Sequence, residues 1–350
     1  MVLIRSIFYL FALSLLSSCQ LGYIAQSAID QAKLMRARVP LKYALENYKL
    51  TDKEREKLEL AIEVREFMAE SLNLNTKSNY SRYVHLDRKY VTYAVNASPK
   101  DQLKTYKWSF PVIGSVPYKG FFNKAKAVEE AEELEKKNLD THVRGVAAYS
   151  TLGWFEDPLL SSMLRMKDHH FINTLIHETV HANLYISDHS KFNERVASFL
   201  GQLGTEAYYQ KLNKSSELKT IVENETHDEL LFSQFITNEL KQLRQWYKDQ
   251  GKNKNIEDLR QDQFTKMKET FKNKVLPKMK TKNYEWFPKK KLNNAFLLLL
   301  ELYNSDFSTL EKLANHYKRD FHKVFKELKK LEDSSTPEKD LVKMTEQLTK

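Results

Sequence analysis

The stretch Phe171-Ile172-Asn173-Thr174-Leu175-Ile176-His177-Glu178-Thr179-Val180-His181-Ala182-Asn183-Leu184-Tyr185-Ile186 decides how this chain is read. Ile172, Leu175, Ile176 and Leu184 recur at helical spacing, which predicts a largely buried helix. Four residues turn an α-helix by about 400°, so His177 and His181 lie one turn apart on one face. Both imidazoles can then reach one ion at a Zn–N distance of about 2 Å. Glu178, next in line, is badly placed as a third ligand from the same helix. It is well placed to hold a zinc-bound water and take its proton. The pattern predicts metal-assisted hydrolysis with one Zn2+ ion.

Catalytic zinc sites usually draw three ligands from the protein and leave one position open. The longer motif with a following glycine and third histidine is excluded, because Leu184 and Ser187 stand at those two places. The better third donor is Glu194 in Asn193-Glu194-Arg195-Val196-Ala197, which opens a second helix striped by Phe192, Val196, Phe199 and Leu203. Ser187 to Ser190 supplies the turn that folds this helix back. Asp188, His189 and Glu206 are the rival donors and read as surface groups. His169 and His170 open the metal helix and read as exposed or ligand-orienting; His142 is the remaining histidine close in sequence.

Outward from this centre the periodicity changes twice. Residues 22–74 read as packing helices, broken at Pro40, with Thr51 and Glu54 in the positions of a capping box. Tyr90 to Ala97, Lys107 to Gly114 and His142 to Tyr149 have strand character, with an amphipathic helix from Lys124 to Lys137 between the last two. Gly114, Gly120, Gly145 and Gly153 fall in this region and read as a cleft-forming segment. After Gly204 the chain is polar and helical. The Leu297 to Leu300 run belongs in a helical core, and the charged tail from Asp333 reads as frayed.

The N-terminus is of another kind. A basic start, an apolar run from Ile7 to Leu16 and Leu16-Ser17-Ser18-Cys19 resemble a bacterial lipoprotein signal, with lipidation expected on Cys19. Gln20 after that cysteine points to the outer membrane, facing the periplasm. Cys19 is the sole cysteine, so no internal disulfide is available. The net charge of +10 comes from lysines interspersed with glutamates, which reads as a solvated surface and excludes nucleic acid as the expected partner.

Several of these segments together carry a resemblance. They are Leu34 to Pro40, Phe110 to Gly114, Val116 to Gly120, Ala148 to Phe155, Asp157 to Leu160, the His177–His181 motif, Phe192-Asn193-Glu194 and Asn293-Asn294-Ala295. On them the chain resembles the bacterial putative aminopeptidase family, lipoproteins with a zincin site followed by an Asn-Glu helix, over about residues 20–201. Arg195-Val196 departs from the serine-phenylalanine expected after Glu194. The resemblance implies a zincin fold and hydrolysis of peptides.

The expectation is therefore an α+β, zincin-like metallopeptidase with a small β-sheet beside the His-Glu-x-x-His helix and a mostly helical remainder. It divides as signal 1–18, a peptidase unit 19–332 (N-terminal helices 20–78, sheet and metal site 79–204, helical part 205–332) and a charged tail 333–350. His177, His181 and Glu194 hold zinc, Glu178 is the base, and Tyr149 donates to the developing oxyanion, with Tyr118 as an alternative. The substrate is a peptide, and lipidated Cys19 holds the chain on a membrane. The other class of function is a non-enzymatic envelope lipoprotein whose structural zinc site supports a partner-binding surface.

Overall fold

The computed structural model describes residues 22–76, 79–110, 114–148, 156–213, 215–250, 256–303 and 307–348. The fold is mixed α+β, about 63% helical with small sheets. Helix α1 covers 22–36 and is followed by α2 (Leu41–Asn47) and α3 (Asp52–Glu70). The capping box at the start of α3 is formed: Glu54 N donates to Thr51 Oγ1 at 3.3 Å, and Thr51 N donates to Glu54 Oε2 at 2.9 Å. This satisfies two backbone donors that the first helical turn leaves unpaired. Leu58, Ala61, Val64, Phe67 and Met68 then form the buried stripe of α3.

The described residues include eight short strands, β1 (Val39–Pro40) before α2 and, after α3, β2 (Arg82–Val84), β3 (Thr92–Pro99), β4 (Trp108–Phe110), β5 (Gly114–Val116), β6 (Lys119–Phe121), β7 (Leu139–Val146) and β8 (Leu159–Leu160). The expected single sheet is three among the described residues. The longest pairing runs β3 antiparallel to β7 from Thr92↔Val146 to Pro99↔Leu139, with β6 on the other edge of β3. Helix α4 (Lys124–Lys136) covers it through Ala127, Ala131 and Leu134, so this sheet has a core of its own with Tyr93, Val95 and Trp108. The sheet that shares a core with the histidine helix is the small one, β1-β2-β8, through Tyr83, Val84, Leu159 and Leu160. Runs of two or three residues carry too little alternation to announce a strand.

Helices α5 (Asp168–Asn183) and α6 (Ser190–Lys211) lie at the centre of that main core. Then come α7 (Ser215–Gln250), α8 (Ile256–Thr270) and α9 (Asn294–Tyr303), whose Phe232, Phe235, Phe264 and Phe296, with Phe271 and Phe287 from the segment between α8 and α9, build a separate aromatic core. Leu297 and Leu299 are buried in it, as their apolar run requires. Helices α10 (Ser308–His316), α11 (Phe321–Lys329) and α12 (Pro337–Gln347) return to the main core. The tail expected to fray is thus helical to Gln347. Leu341 is fully buried, and Met344 and Leu348 pack beside it at helical spacing that the surrounding charges concealed.

Candidate metal centre

Helix α5 earns its place by burial: Phe171, Ile172, Leu175, Ile176 and Val180 all lie in the core. Its end is tied down by Asn183, whose amide nitrogen donates to Thr179 O at 2.8 Å and Asn75 O at 3.0 Å. The chain then turns through Asp188, a non-glycine residue at φ 64°, into α6. Asn193 closes this turn. Its Nδ2 donates to Ile186 O at 2.7 Å and its Oδ1 accepts from Ile186 N at 3.0 Å. The asparagine of the Asn-Glu pair is therefore a backbone clamp, and the clamp sets where Glu194 points.

The two helices run antiparallel, since Glu194 meets His181, Ser198 meets His177 and Gly201 meets Asn173 in turn. Glycine permits the close approach. A Cβ on Gly204 would sit 3.0 Å from Ile176 Cδ1, and one on Gly201 would sit 2.9 Å from Asn173 Oδ1.

This packing brings three donors to one point. His181 Nε2 and His177 Nε2 are 3.1 Å apart, and Glu194 lies 3.5 Å from each, Oε2 toward His177 and Oε1 toward His181. The rings stand edge to face with centroids 4.7 Å apart. Ligands held at about 2 Å around a tetrahedral ion are separated by about 3.3 Å, so the observed spacings fit one zinc-sized ion. His177 Nδ1 also lies 3.5 Å from Ser198 Oγ. The group could hold a metal, and the donor set of two imidazoles and one carboxylate suits a transition cation.

Electrostatics separate the two glutamates. Burial works against the charged form of Glu194, but hydrogen bonds from His177 and His181 outweigh it and hold its carboxyl well below the usual carboxylate range. For Glu178 burial dominates. Its carboxyl is pushed up to about 7, with His177 opposing the rise and Glu194 and Asp157 adding to it. A carboxyl poised near neutral pH beside a candidate metal site can take and return a proton.

The rival donors lie elsewhere. Glu206 is held bidentately by Arg319 Nε and Nη2, Asp188 is exposed in the turn, and His189 precedes the first residue of α6. His142 packs on Phe296, with ring centroids 4.7 Å apart. His169 and His170 meet Glu225 of α7 instead of orienting the His177–His181 pair. Tyr149 and Gly153 lie outside the described residues, and Tyr118 is exposed between β5 and β6. Of the glycines read as cleft-forming, Gly145 is closely approached, by the Tyr90 ring, while Gly120 has open space.

Sequence reading missed Tyr80 and Asp157. Tyr80 is buried at φ 58° and donates its backbone N–H to Asp157 O at 2.8 Å. Burial, with Glu178 and Asp157 adding to it, pushes its phenol well above 10, so it stays a neutral donor beside Glu178. A tyrosine in the left-handed region is an outlier, but nothing in sequence marks φ.

A family model described as "Putative aminopeptidase" matches residues 22–342, well past Gly201, where the resemblance read from the sequence stops. No curated protein and no solved structure matches the chain. No helix among the described residues is long and apolar enough to cross a membrane. With the match spanning nearly its whole length, the chain belongs to the putative aminopeptidase family, a family of peptidases.

Proposed function

We propose that this protein is a zincin-like, zinc-dependent metallopeptidase that hydrolyses peptide bonds as an aminopeptidase. The observation that carries the reading is the meeting of His177 Nε2, His181 Nε2 and Glu194 at 3.1–3.5 Å with Glu178 beside them. His177, His181 and Glu194 would hold the ion, which supplies Lewis-acid polarisation of a carbonyl and acidifies water. Glu178 accepts the proton of the attacking water and returns it to the leaving amine. Tyr149 is retained as donor to the developing oxyanion, with Tyr80 as the second candidate. Cys19 carries the lipid that holds the chain on the outer membrane, facing the periplasm.

The structural-zinc lipoprotein calls for a fourth protein ligand closing the site. The converging group among the described residues has three, which favours the enzyme. Digestion of a peptide library by wild type and Glu178→Gln, read by mass spectrometry, tests activity and end preference together. Ladders of N-terminally shortened products from wild type alone are expected. Equal hydrolysis by both proteins would remove Glu178 from the mechanism.

A further inference from the structure

Helix α5 carries a second set of metal donors. In its first turn His169 and His170 pack ring on ring, with centroids 4.1 Å apart. Both face one oxygen of Glu225 on α7: His169 Nε2 is 3.0 Å and His170 Nε2 3.8 Å from Glu225 Oε2. One donor atom of each residue lies within 4.8 Å of the other two. Ligands sharing an ion at about 2 Å sit roughly 3–3.5 Å apart, so only a small inward adjustment is needed.

The carboxylate is aimed by a built support. Asn283 Nδ2 donates to Glu225 Oε1 at 3.1 Å, leaving Oε2 to the imidazoles. The loop bearing Asn283 is fixed in turn by fully buried Asp228, one helical turn beyond Glu225, which accepts from Lys280 N at 2.8 Å and Thr281 N at 2.6 Å. An outer amide that orients a ligating carboxylate is a regular feature of metal sites. His169 and Glu225 also line a cleft of about 770 Å³, with Tyr209, Ile221 and Asn224 among its other walls. An ion held there would keep coordination positions open toward that cleft.

Two features oppose a cation. Lys167 Nζ lies 3.7 Å from Glu225 Oε1, and the positive end of α5 is near. Lys167 is 62% exposed, however, and can turn into water, while the helix-end effect is small beside ligation by two imidazoles and a carboxylate. His170 and His177 are seven residues apart, about 10 Å along the helix and on nearly the same side. That separation is too large for a shared two-metal centre, whose ions sit about 4 Å apart.

We propose that His169, His170 and Glu225 form a second divalent transition-metal site, separate from the His177–His181–Glu194 centre and opening into the adjacent cleft. The test strips the full chain with a chelator and titrates it with Zn2+ against a chromophoric competitor, with Co2+ spectra in parallel. Wild type should take up two equivalents. Glu225→Gln should keep one at wild-type affinity and weaken the other at least tenfold, and His177→Ala should keep the one that Glu225→Gln weakens. A melting curve separates lost ligation from lost fold, and His170→Phe repeats the measurement if Glu225→Gln melts early.

Saturation of wild type at one equivalent that His177→Ala abolishes overturns the proposal. So does a well-folded Glu225→Gln that keeps both equivalents at wild-type affinity. If Glu225→Gln loses an equivalent while His177→Ala loses none, the second site stands and the reading of the first falls.

Discussion

Two polar constellations, one buried and one half-buried, are built from similar parts but arranged differently. In the first, Asp140 of β7 accepts from Arg260 Nη1 at 2.5 Å, Arg260 Nη2 at 2.9 Å and Asn294 N at 2.9 Å. Asn294 in turn accepts from Tyr247 Oη at 2.8 Å and donates to Pro99 O at 2.9 Å. Every strong group there has a partner, and β3, β7, α7, α8 and α9 are pinned to one another. In the second, His177, His181 and Glu194 converge on one point, and the neighbouring Glu178 is held near neutrality by a dry surrounding. A buried charge matched by its own chain is architecture, whereas imidazole and carboxylate donors that converge on one point form a group that could hold a metal.

The sharpest way to break this contrast is Glu178→Gln. Peptidase activity should fall by about 10³-fold, because a positioned base contributes roughly 10²–10⁴. Zinc content and melting temperature should hold, which elemental analysis and calorimetry would show. Asp140→Asn should do the reverse. It leaves the Arg260 guanidinium buried with only the partly exposed Glu257 as counter-charge, and should cost about 3 kcal/mol in denaturant unfolding with zinc affinity unchanged. Loss of zinc in Asp140→Asn would mean that the two constellations are one unit.

A third measurement concerns His142, two residues beyond Asp140. Burial, with Lys290 and Arg144 adding to it, lowers its pKa from 6.5 to about 4. Between those values the unfolded chain binds the extra proton, so stability is intact above pH 6.5 and falls toward pH 4. The drop should be about 3 kcal/mol in metal-free protein, and His142→Phe should flatten it. An unchanged slope in that variant would place the titration elsewhere.

The smallest effect tests the second constellation's scaffold. In Gly204→Ala the added Cβ meets Ile176 and Leu72 at 3.0–3.1 Å, while helix propensity improves. Crowding of about 2 kcal/mol against a propensity gain of about 1 leaves a net loss near 1 kcal/mol, with weaker zinc binding as α6 is pushed from α5. A gain in stability would show that the interface has room to spare.

The Thr51–Glu54 cap, the shared face of His177 and His181 and the approach of Glu194 to that pair were all legible in the sequence. Each depends on spacing within one helix or on a single short turn, and helical periodicity is a local property. Asn293 and Asn294 stood out as a motif without a role. Their role exists only where β7 comes within reach, with Asn293 Nδ2 donating to Thr141 O at 2.8 Å.

By itself, then, the sequence determined which residues share a helical face, and so the histidine pair, its glutamate and the turn toward Glu194. Only the tertiary structure decided that the strands form three sheets, that α12 packs back on the main core, that Tyr80 and Asp157 stand by Glu178, and that His169 and His170 meet Glu225 from 56 residues away. The reason is physical: a covalent spacing fixes neighbours along one element, but partners from different elements are chosen by how whole faces pack and exclude water.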